Sequence, residues 1–179
     1  ACPWYTGNGT VDNAKNELFL SVRENMKVRR FERIEGKCVP YVHMKGNVAV
    51  LVELETEASA EAVTELGRDV AMQICALNPQ YLDESNVPAA DVEKEKEIRI
   101  ATAKQDPKIA KKPDAIIEKI VVGGLGKWFK EICLLQMPFV KDDKVSVEQH
   151  VAAVAKELGT PITVKGYVRF EKGEGIEKR

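Results

Sequence analysis

The chain has 179 residues, 44% hydrophobic and 31% charged, so it is long enough to bury a core and has an ordinary globular composition. Its 27 Lys and Arg nearly balance 28 Asp and Glu, and the formal net charge of -1 excludes a general electrostatic field for holding nucleic acid. The longest apolar stretches fall well short of the roughly 20 residues that span a bilayer, so no membrane helix is expected.

The first predicted helix covers residues 11–23, after a start that is rich in proline and glycine. Apolar residues such as Leu18 and Val22 recur there at helical spacing and form one face. Thr10 or Asp12 can accept hydrogen bonds from the free backbone amides of the first turn. The pattern predicts a short amphipathic helix.

Two or three antiparallel strands are predicted after this helix, the clearest at residues 38–44 and 47–54. Both segments are rich in β-branched residues, and Gly36 and Gly46 mark tight turns. Pro40 has no N–H for a sheet ladder, so we expect its strand at a sheet edge or at a bulge.

Acidic residues alternate at the end of the second of these strands, at Glu53, Glu55 and Glu57. Grouped carboxylates can serve acid–base chemistry, but alternating charge also protects an exposed sheet edge from aggregation. We interpret this series as a solvated edge strand.

The strongest helical periodicity lies at residues 59–77, and Asn78 with Pro79 ends it. Two further helices are predicted within residues 91–132, because a stretch of alternating charge is followed by an apolar stripe of helical period. Joined near residues 106–113, they would form an antiparallel hairpin.

Three glycines, at positions 123, 124 and 126, oppose the second helix of this hairpin. Each costs about 1 kcal/mol relative to alanine in a helix interior, so tertiary packing must compensate or the helix bends there. Small residues also let another backbone approach closely. A helix crossing or a subunit contact at the glycines is therefore the alternative.

A last helix is predicted at residues 146–158, with Ser146 as its N-cap and Gly159 as its stop. Residues 162–170 then alternate as a strand, with Gly166 at a bulge. Together these elements predict an α+β fold: a small antiparallel sheet packed with helices, with an inserted antiparallel helical hairpin.

The sequence offers little material for a catalytic centre. Its histidines are His43 and His150, its serines lack the GxSxG turn, and GGLGK at residues 123–127 lacks the spacing of a phosphate-binding loop. The four cysteines have no metal-ligand spacing and are interpreted as reduced, mostly buried residues of a cytoplasmic protein. We expect no catalytic residue, no cofactor and no metal.

His43 is the most informative polar residue. It lies in YVHMKGN, where a strand enters a hairpin and a side chain can point outward, as recognition residues on loops do. The ordinary alternative is a half-buried histidine that is hydrogen-bonded to backbone.

Four separated segments carry a family likeness. They read SVRENMKVRRFERIEG (residues 21–36), YVHMKGNVAVLVEL (41–54), GRDVAMQICALNPQYL (67–82) and a final stretch from Lys127 that includes CLLQMPFVKDD and GYVRFEKGEGIEKR. In order and spacing they resemble the carboxy-terminal half of the core of elongation factor Ts, over nearly the whole chain.

This resemblance implies guanine nucleotide exchange, a non-catalytic role. Family members bind elongation factor Tu in its GDP form, loosen the nucleotide and magnesium site, and let GTP enter without a covalent step. The resemblance also implies that His43, in the family's Tyr-x-His segment, contacts Tu, with Tyr41 and Met44 beside it. It implies a cytoplasmic protein with no direct contact to nucleic acid.

The resemblance divides the chain into three parts. Residues 1–88 would be the first part of the carboxy-terminal core subdomain, and residues 134–179 its remainder. Residues 89–133 would be a helical hairpin that serves in dimerisation or in further contact with Tu in several members. A homodimer through the hairpin is one expectation. The glycines within the hairpin replace more helical residues of the family and oppose it.

Two family features have no counterpart in this sequence. They are an amino-terminal helical domain and a Thr-Asp-Phe-Val segment that reaches toward the nucleotide-binding domain of Tu. The chain is therefore expected to be a fragment that binds Tu but exchanges nucleotide poorly. The alternatives are a stand-alone interaction scaffold that does not bind Tu, and a small-molecule enzyme using His43, for which the sequence supplies no base with an orienting partner.

Overall fold

The computed structural model describes residues 9–106, 109 and 111–176, and its chain divides into two compact units after Arg33. The first unit contains helix α1 (Val11–Val22), close to the predicted bounds. Thr10 caps it, because its hydroxyl accepts a hydrogen bond from the Asn13 amide at 3.3 Å. No residue of α1 is buried, and residues 25–35, all of them described, form neither helix nor strand.

The second unit contains the sheet and the remaining helices. In chain order they are β1 (Lys37–His43), β2 (Val48–Thr56), α2 (Thr64–Leu77), α3 (Ala89–Gln105), α4 (Asp114–Ile132), β3 (Pro138–Phe139), β4 (Asp142–Ser146), α5 (Val147–Leu158) and β5 (Ile162–Glu171). Helices and an antiparallel sheet in one unit confirm the predicted α+β fold.

The main sheet has three antiparallel strands in the order β1-β2-β5. Pro40 lies in β1, an edge strand, as its missing N–H predicted. A bulge interrupts the β2–β5 pairing beside Gly166, because Glu53 pairs with Gly166 while Leu54 pairs with Val164. The interpretation of Glu53, Glu55 and Glu57 as part of an edge strand is wrong. Strand β2 is central, because it pairs with β1 on one side and with β5, a strand much later in the sequence, on the other.

One face of this sheet carries the main core. Alternate residues of β2 are buried, as are the inward faces of α2 and α5. Gly67 of α2 lets the helix approach β1, where it faces Val39. The largest fully buried core side chains are Val52, Val63, Val70, Ile74, Leu134, Met137 and Val147.

Helix α2 begins at Thr64, five residues later than the predicted start at position 59. Its end agrees with the prediction, since Asn78 takes a left-handed conformation with φ 47° and Pro79 follows. Tyr167 of β5 donates its hydroxyl to the Pro79 carbonyl at 2.7 Å, which ties the last strand to this helix end.

Helices α3 and α4 form the predicted antiparallel hairpin, and part of their connection lies outside the described residues. The glycines do not break α4. A Cβ on Gly124 would lie 2.7 Å from Arg99 Nη1 of α3, whereas Gly123 and Gly126 have nothing within 4 Å of such an atom. The close approach that the glycines suggested therefore occurs within the hairpin, at Gly124.

Helix α5 begins and ends where its capping signals predicted. Ser146 and Gln149 form a reciprocal capping box, and Gly159 ends the helix with φ 67°. The short β3–β4 hairpin that precedes α5 was not predicted.

Candidate protein-docking site

The connection between β1 and β2 forms an exposed tip at one end of the main sheet. It is a single tight turn, Met44–Gly46, in which Met44 (φ 48°), Lys45 (φ 55°) and Gly46 (φ 93°) are all left-handed. For residues other than glycine this conformation costs about 1–2 kcal/mol each, so the surrounding hairpin must hold it. The Met44 side chain is 68% exposed as a result.

Tyr41 and His43 stand next to each other at the end of β1. Because side chains two residues apart in a strand share a face, both project to the same side, with ring centroids 5.9 Å apart and planes at 23°. The Tyr41 hydroxyl lies 3.1 Å from His43 Nδ1. Tyr41 is half-buried against the core, whereas His43 is exposed, so Tyr41 connects the core to the imidazole.

The three predicted partner-binding residues, Tyr41, His43 and Met44, thus lie together at this tip. Val42 also belongs to it, because its side chain is 64% exposed on the opposite face of β1. The prediction omitted Val42, although its position between two residues of the other face could have indicated it.

A charged pair lies on the same face of the sheet as Tyr41 and His43. The register places Arg169 two strands from Tyr41 and Glu171 two strands from His43, and the Arg169 Nη2 to Glu171 Oε2 distance is 2.7 Å. The Asn47 carbonyl accepts a hydrogen bond from the Lys172 amide at 2.8 Å, so the end of β5 is joined to the tip. No sequence signal identified this pair, because the strand register is a long-range property.

The second histidine, His150, belongs to a different cluster. Its Nε2 lies 3.2 Å from Asp69 Oδ2 of α2, and its ring stacks on Phe139 with centroids 4.2 Å apart. Lys141 also contacts Asp69, and this hydrogen bond, with the carboxylate charge, raises the pKa of the Lys141 ammonium. The cluster joins α2 to the β3–β4 hairpin and α5.

Gln73 supports the same junction from inside the core. Its side chain is fully buried, donates from Nε2 to the Pro138 carbonyl at 2.9 Å, and accepts from the Val140 amide at 2.8 Å. Both ends of this buried amide are therefore satisfied by backbone groups. These polar residues join α2 to the β3–β4 hairpin and α5, and none of them belongs to the tip between β1 and β2.

Chemically, the tip offers hydrogen bonds and apolar contact. Within the described ranges, no group of three or more His, Cys, Asp or Glu could hold a metal ion, and no helix is long and apolar enough to cross a membrane. The glycines at 123, 124 and 126 lie inside helix α4, so they do not form a loop that could enclose a phosphate.

The described cysteines are Cys38, Cys75 and Cys133, and all three are free. Burial raises the pKa of the Cys133 thiol to about 11, so this thiol is protonated at neutral pH. Cys38 and Cys75 are only half-buried, and Cys2 lies outside the described residues.

Comparison with known proteins adds a family to this geometry. The family model described as Elongation factor TS matches residues 3–174. The chain belongs to the elongation factor Ts family. This confirms the likeness that the four sequence segments carried.

Several curated members of the elongation factor Ts family are similar over almost the whole chain. Elongation factor Ts of Clostridium perfringens strain SM101 is 43% identical over 176 residues, which cover 97% of this chain and 57% of that protein. Elongation factor Ts of Magnetococcus marinus is 43% identical over 179 aligned residues, which cover 98% of this chain and 58% of that protein. Elongation factor Ts of Syntrophotalea carbinolica is 41% identical over 183 aligned residues, which cover 100% of this chain and 59% of that protein. The chain thus spans less than two thirds of the length of these relatives.

Proposed function

We propose that this chain docks on elongation factor Tu through the tip formed by Tyr41, His43 and Met44, and so takes part in the exchange of GDP for GTP. Two observations support this. The chain belongs to the elongation factor Ts family, and the tip exposes an imidazole and a methionine on a turn that its backbone fixes. The exposed imidazole, held by Tyr41, carries the proposal.

The proposed mechanism contains no covalent step. A protein whose binding to a GTPase opposes nucleotide binding lowers the affinity for GDP, and by linkage GDP lowers the affinity for that protein by the same factor. Coupling free energies of this kind are typically about 1–3 kcal/mol, which corresponds to roughly 5- to 150-fold in affinity. Aromatic and methionine side chains are enriched at such interfaces because they bury large areas.

We expect this chain to bind Tu but to accelerate GDP release poorly. The sequence contains no Thr-Asp-Phe-Val segment, the segment that the family resemblance assigns to contact with the nucleotide-binding domain of Tu. We also propose that the chain acts in the cytoplasm and makes no direct contact with nucleic acid.

Release of a fluorescent GDP analogue from Tu tests the expectation that this chain exchanges nucleotide poorly. Rapid release at stoichiometric concentration would contradict it.

Calorimetric titration of the GDP form of Tu with wild type and with His43→Ala tests docking itself. Interface residues that dominate binding contribute more than about 1 kcal/mol, so we expect the variant to bind roughly tenfold more weakly with an unchanged circular dichroism spectrum. Val122→Ala is the matched control, because Val122 is an apolar residue that is 65% exposed on α4 and does not belong to the tip. Equal affinity of the two variants would remove His43 from the site.

A titration in which wild type forms no complex with Tu would favour the alternative function, a stand-alone interaction scaffold. That outcome would leave the family membership intact, since it rests on sequence comparison alone. It would show that this chain does not carry a Tu-binding surface.

We also propose that residues 89–133 act as a separate part of the molecule, between core parts at residues 1–88 and 134–179, and mediate a homodimer. The hairpin exposes large apolar side chains, among them Ile98 (51%) and Ile120 (38%), along an open groove of about 650 Å³ between α3 and α4.

Sedimentation of Ile120→Lys and Val122→Lys tests this dimer. Val122 is exposed on α4 but does not line the groove, so it is the matched control. We expect the first variant to be monomeric and the second to dimerise like wild type. A monomeric wild type would refute the dimer.

A further inference from the structure

The contact between Tyr41 and His43 constrains the chemistry of the imidazole. Tyr41 is packed against the core, so its ring position is set by packing and its hydroxyl is presented to one nitrogen of the exposed histidine, Nδ1, at 3.1 Å. The two rings also stack, which limits rotation of the imidazole about its side-chain bonds.

The imidazole tautomer decides the direction of this hydrogen bond, and the chemistry of the two groups favours donation from the Tyr41 hydroxyl. A phenol hydroxyl is a good donor, with an ordinary pKa of about 10, and the lone pair of a neutral imidazole nitrogen is a strong acceptor. A bond from the Tyr41 hydroxyl to Nδ1 leaves the imidazole proton on Nε2, because the nitrogen that accepts cannot carry it. His43 then presents Nε2–H as a donor.

The rest of the chain leaves this donor available. Across the described residues, none accepts a hydrogen bond from His43 Nε2. On the same face of the sheet the register places Val48 beside His43 and Glu171 beyond it. The Glu171 carboxylate is paired with Arg169.

We propose that Tyr41 is a positioning residue that selects the Nε2–H tautomer of His43, and that the docking partner supplies a hydrogen-bond acceptor, a carbonyl or carboxylate oxygen, to Nε2. The second half rests on the proposed docking on Tu. Tyr41 acts through His43 and needs no contact with the partner itself. The pair therefore demands an acceptor at one point of the partner surface and disfavours a donor there.

Nitrogen NMR of the two imidazoles tests the tautomer without a partner. The chain has only two histidines, and His150 is an internal reference, because Nε2 beside the acceptor-only carboxylate of Asp69 must carry a proton. At about pH 8.5, where ordinary imidazoles are neutral, we expect both histidines of wild type to show the Nε2–H pattern.

The variant Tyr41→Phe keeps the ring and removes only the hydroxyl. We expect its His43 nitrogen shifts to move toward the average of the two tautomers, while those of His150 stay constant. An Nδ1–H pattern for His43 in wild type, or unchanged His43 shifts in Tyr41→Phe, would overturn the role of Tyr41.

Two substitutions of His43 separate its nitrogens in a Tu titration. The glutamine side-chain amide nitrogen occupies a position near Nε2 of histidine, and that of asparagine a position near Nδ1. We expect His43→Gln to bind within about threefold of wild type, and His43→Asn to bind about three- to tenfold more weakly, the range of one neutral hydrogen bond. Tyr41→Phe should bind no more than about twofold more weakly, because it lowers the population of the competent tautomer to about half without removing the hydrogen bond. Binding of His43→Asn as tight as that of His43→Gln would overturn the demand for an acceptor at Nε2.

The two kinds of failure are distinguishable. If wild type does not bind Tu, both the proposed function and the proposed acceptor on Tu are refuted. The nitrogen NMR shifts of His43 would still decide whether Tyr41 selects the tautomer. If wild type binds Tu and no His43 variant loses affinity, other residues of the chain bind Tu, and the proposed acceptor for His43 Nε2 is refuted.

Discussion

Replacing Gly67 by alanine tests the close approach of α2 to the sheet. Gly67 faces Val39 of β1, and an added Cβ would lie 2.6 Å from Val39 Cβ and closer still to one of its methyl groups. Rotation of the valine cannot relieve a contact with its own Cβ, so the helix and the strand must move apart. Val39 is 6% exposed and belongs to the core, so this movement disturbs packed neighbours.

Two effects of opposite sign determine the magnitude. Overpacking a core costs about 1–3 kcal/mol, and replacing a helical glycine by alanine returns at most about 1 kcal/mol. We expect Gly67→Ala to lower the free energy of unfolding by about 1–2 kcal/mol. For a chain of this size that lowers Tm by about 3–6 °C.

The matched control is Gly126→Ala, because Gly126 is an exposed helical glycine that does not line the groove between α3 and α4 and has nothing within 4 Å of an added Cβ. It should raise the free energy of unfolding by up to about 1 kcal/mol. Urea unfolding followed by circular dichroism measures both variants. A Gly67→Ala protein as stable as wild type, or stabilised like the control, would show that α2 and β1 are not packed tightly at Gly67.

Three further substitutions test the polar contacts. Gln73→Met should cost about 2 kcal/mol in urea unfolding, because the Pro138 carbonyl and the Val140 amide lose their partner; a neutral result would contradict that role. Ser146→Ala should cost about 1 kcal/mol by loss of the α5 cap, and unchanged stability would show that the capping box does not stabilise the protein. Burial raises the pKa of Tyr167 to about 12. Between about pH 10 and 12 the folded state therefore keeps a proton that the unfolded state loses, and stability falls as pH rises. Tyr167→Phe should show a smaller fall, and an identical profile would be evidence against the shift.

The helices could be predicted because each carries its own local signal. Helix α5 has an apolar stripe with Ser146 before it and Gly159 after it, and the structure uses both as caps. The glycines of α4 could indicate either a bend in the helix or a close contact with a neighbouring helix. Packing against α3 determines the outcome, because the missing side chain of Gly124 makes room for Arg99. Local propensity alone would have bent the helix there.

Strand order and the β3–β4 hairpin could not be read from the sequence. Whether Glu53 lies on an edge or a central strand depends on pairing with Gly166, more than a hundred residues later. The β3–β4 hairpin is short, with a first strand of only two residues, and Gln73 and Asp69 of α2 hold its position. Such contacts bring together residues whose sequence separation hides them.

At the candidate site, the hairpin position of His43 followed from local turn residues, so its exposure at a strand end could be expected. The orienting contact with Tyr41 needed coordinates, although a spacing of two residues in a strand already places both side chains on one face. The Arg169–Glu171 pair depends on the register between β2 and β5, which no local pattern specifies.

Docking on Tu is most directly tested by calorimetric titration of purified Tu in its GDP form with this chain. We predict a saturable complex whose affinity falls roughly tenfold in His43→Ala and is unchanged in Val122→Ala. Absence of any heat of binding with folded wild type, confirmed by the absence of co-migration in sedimentation, would contradict it.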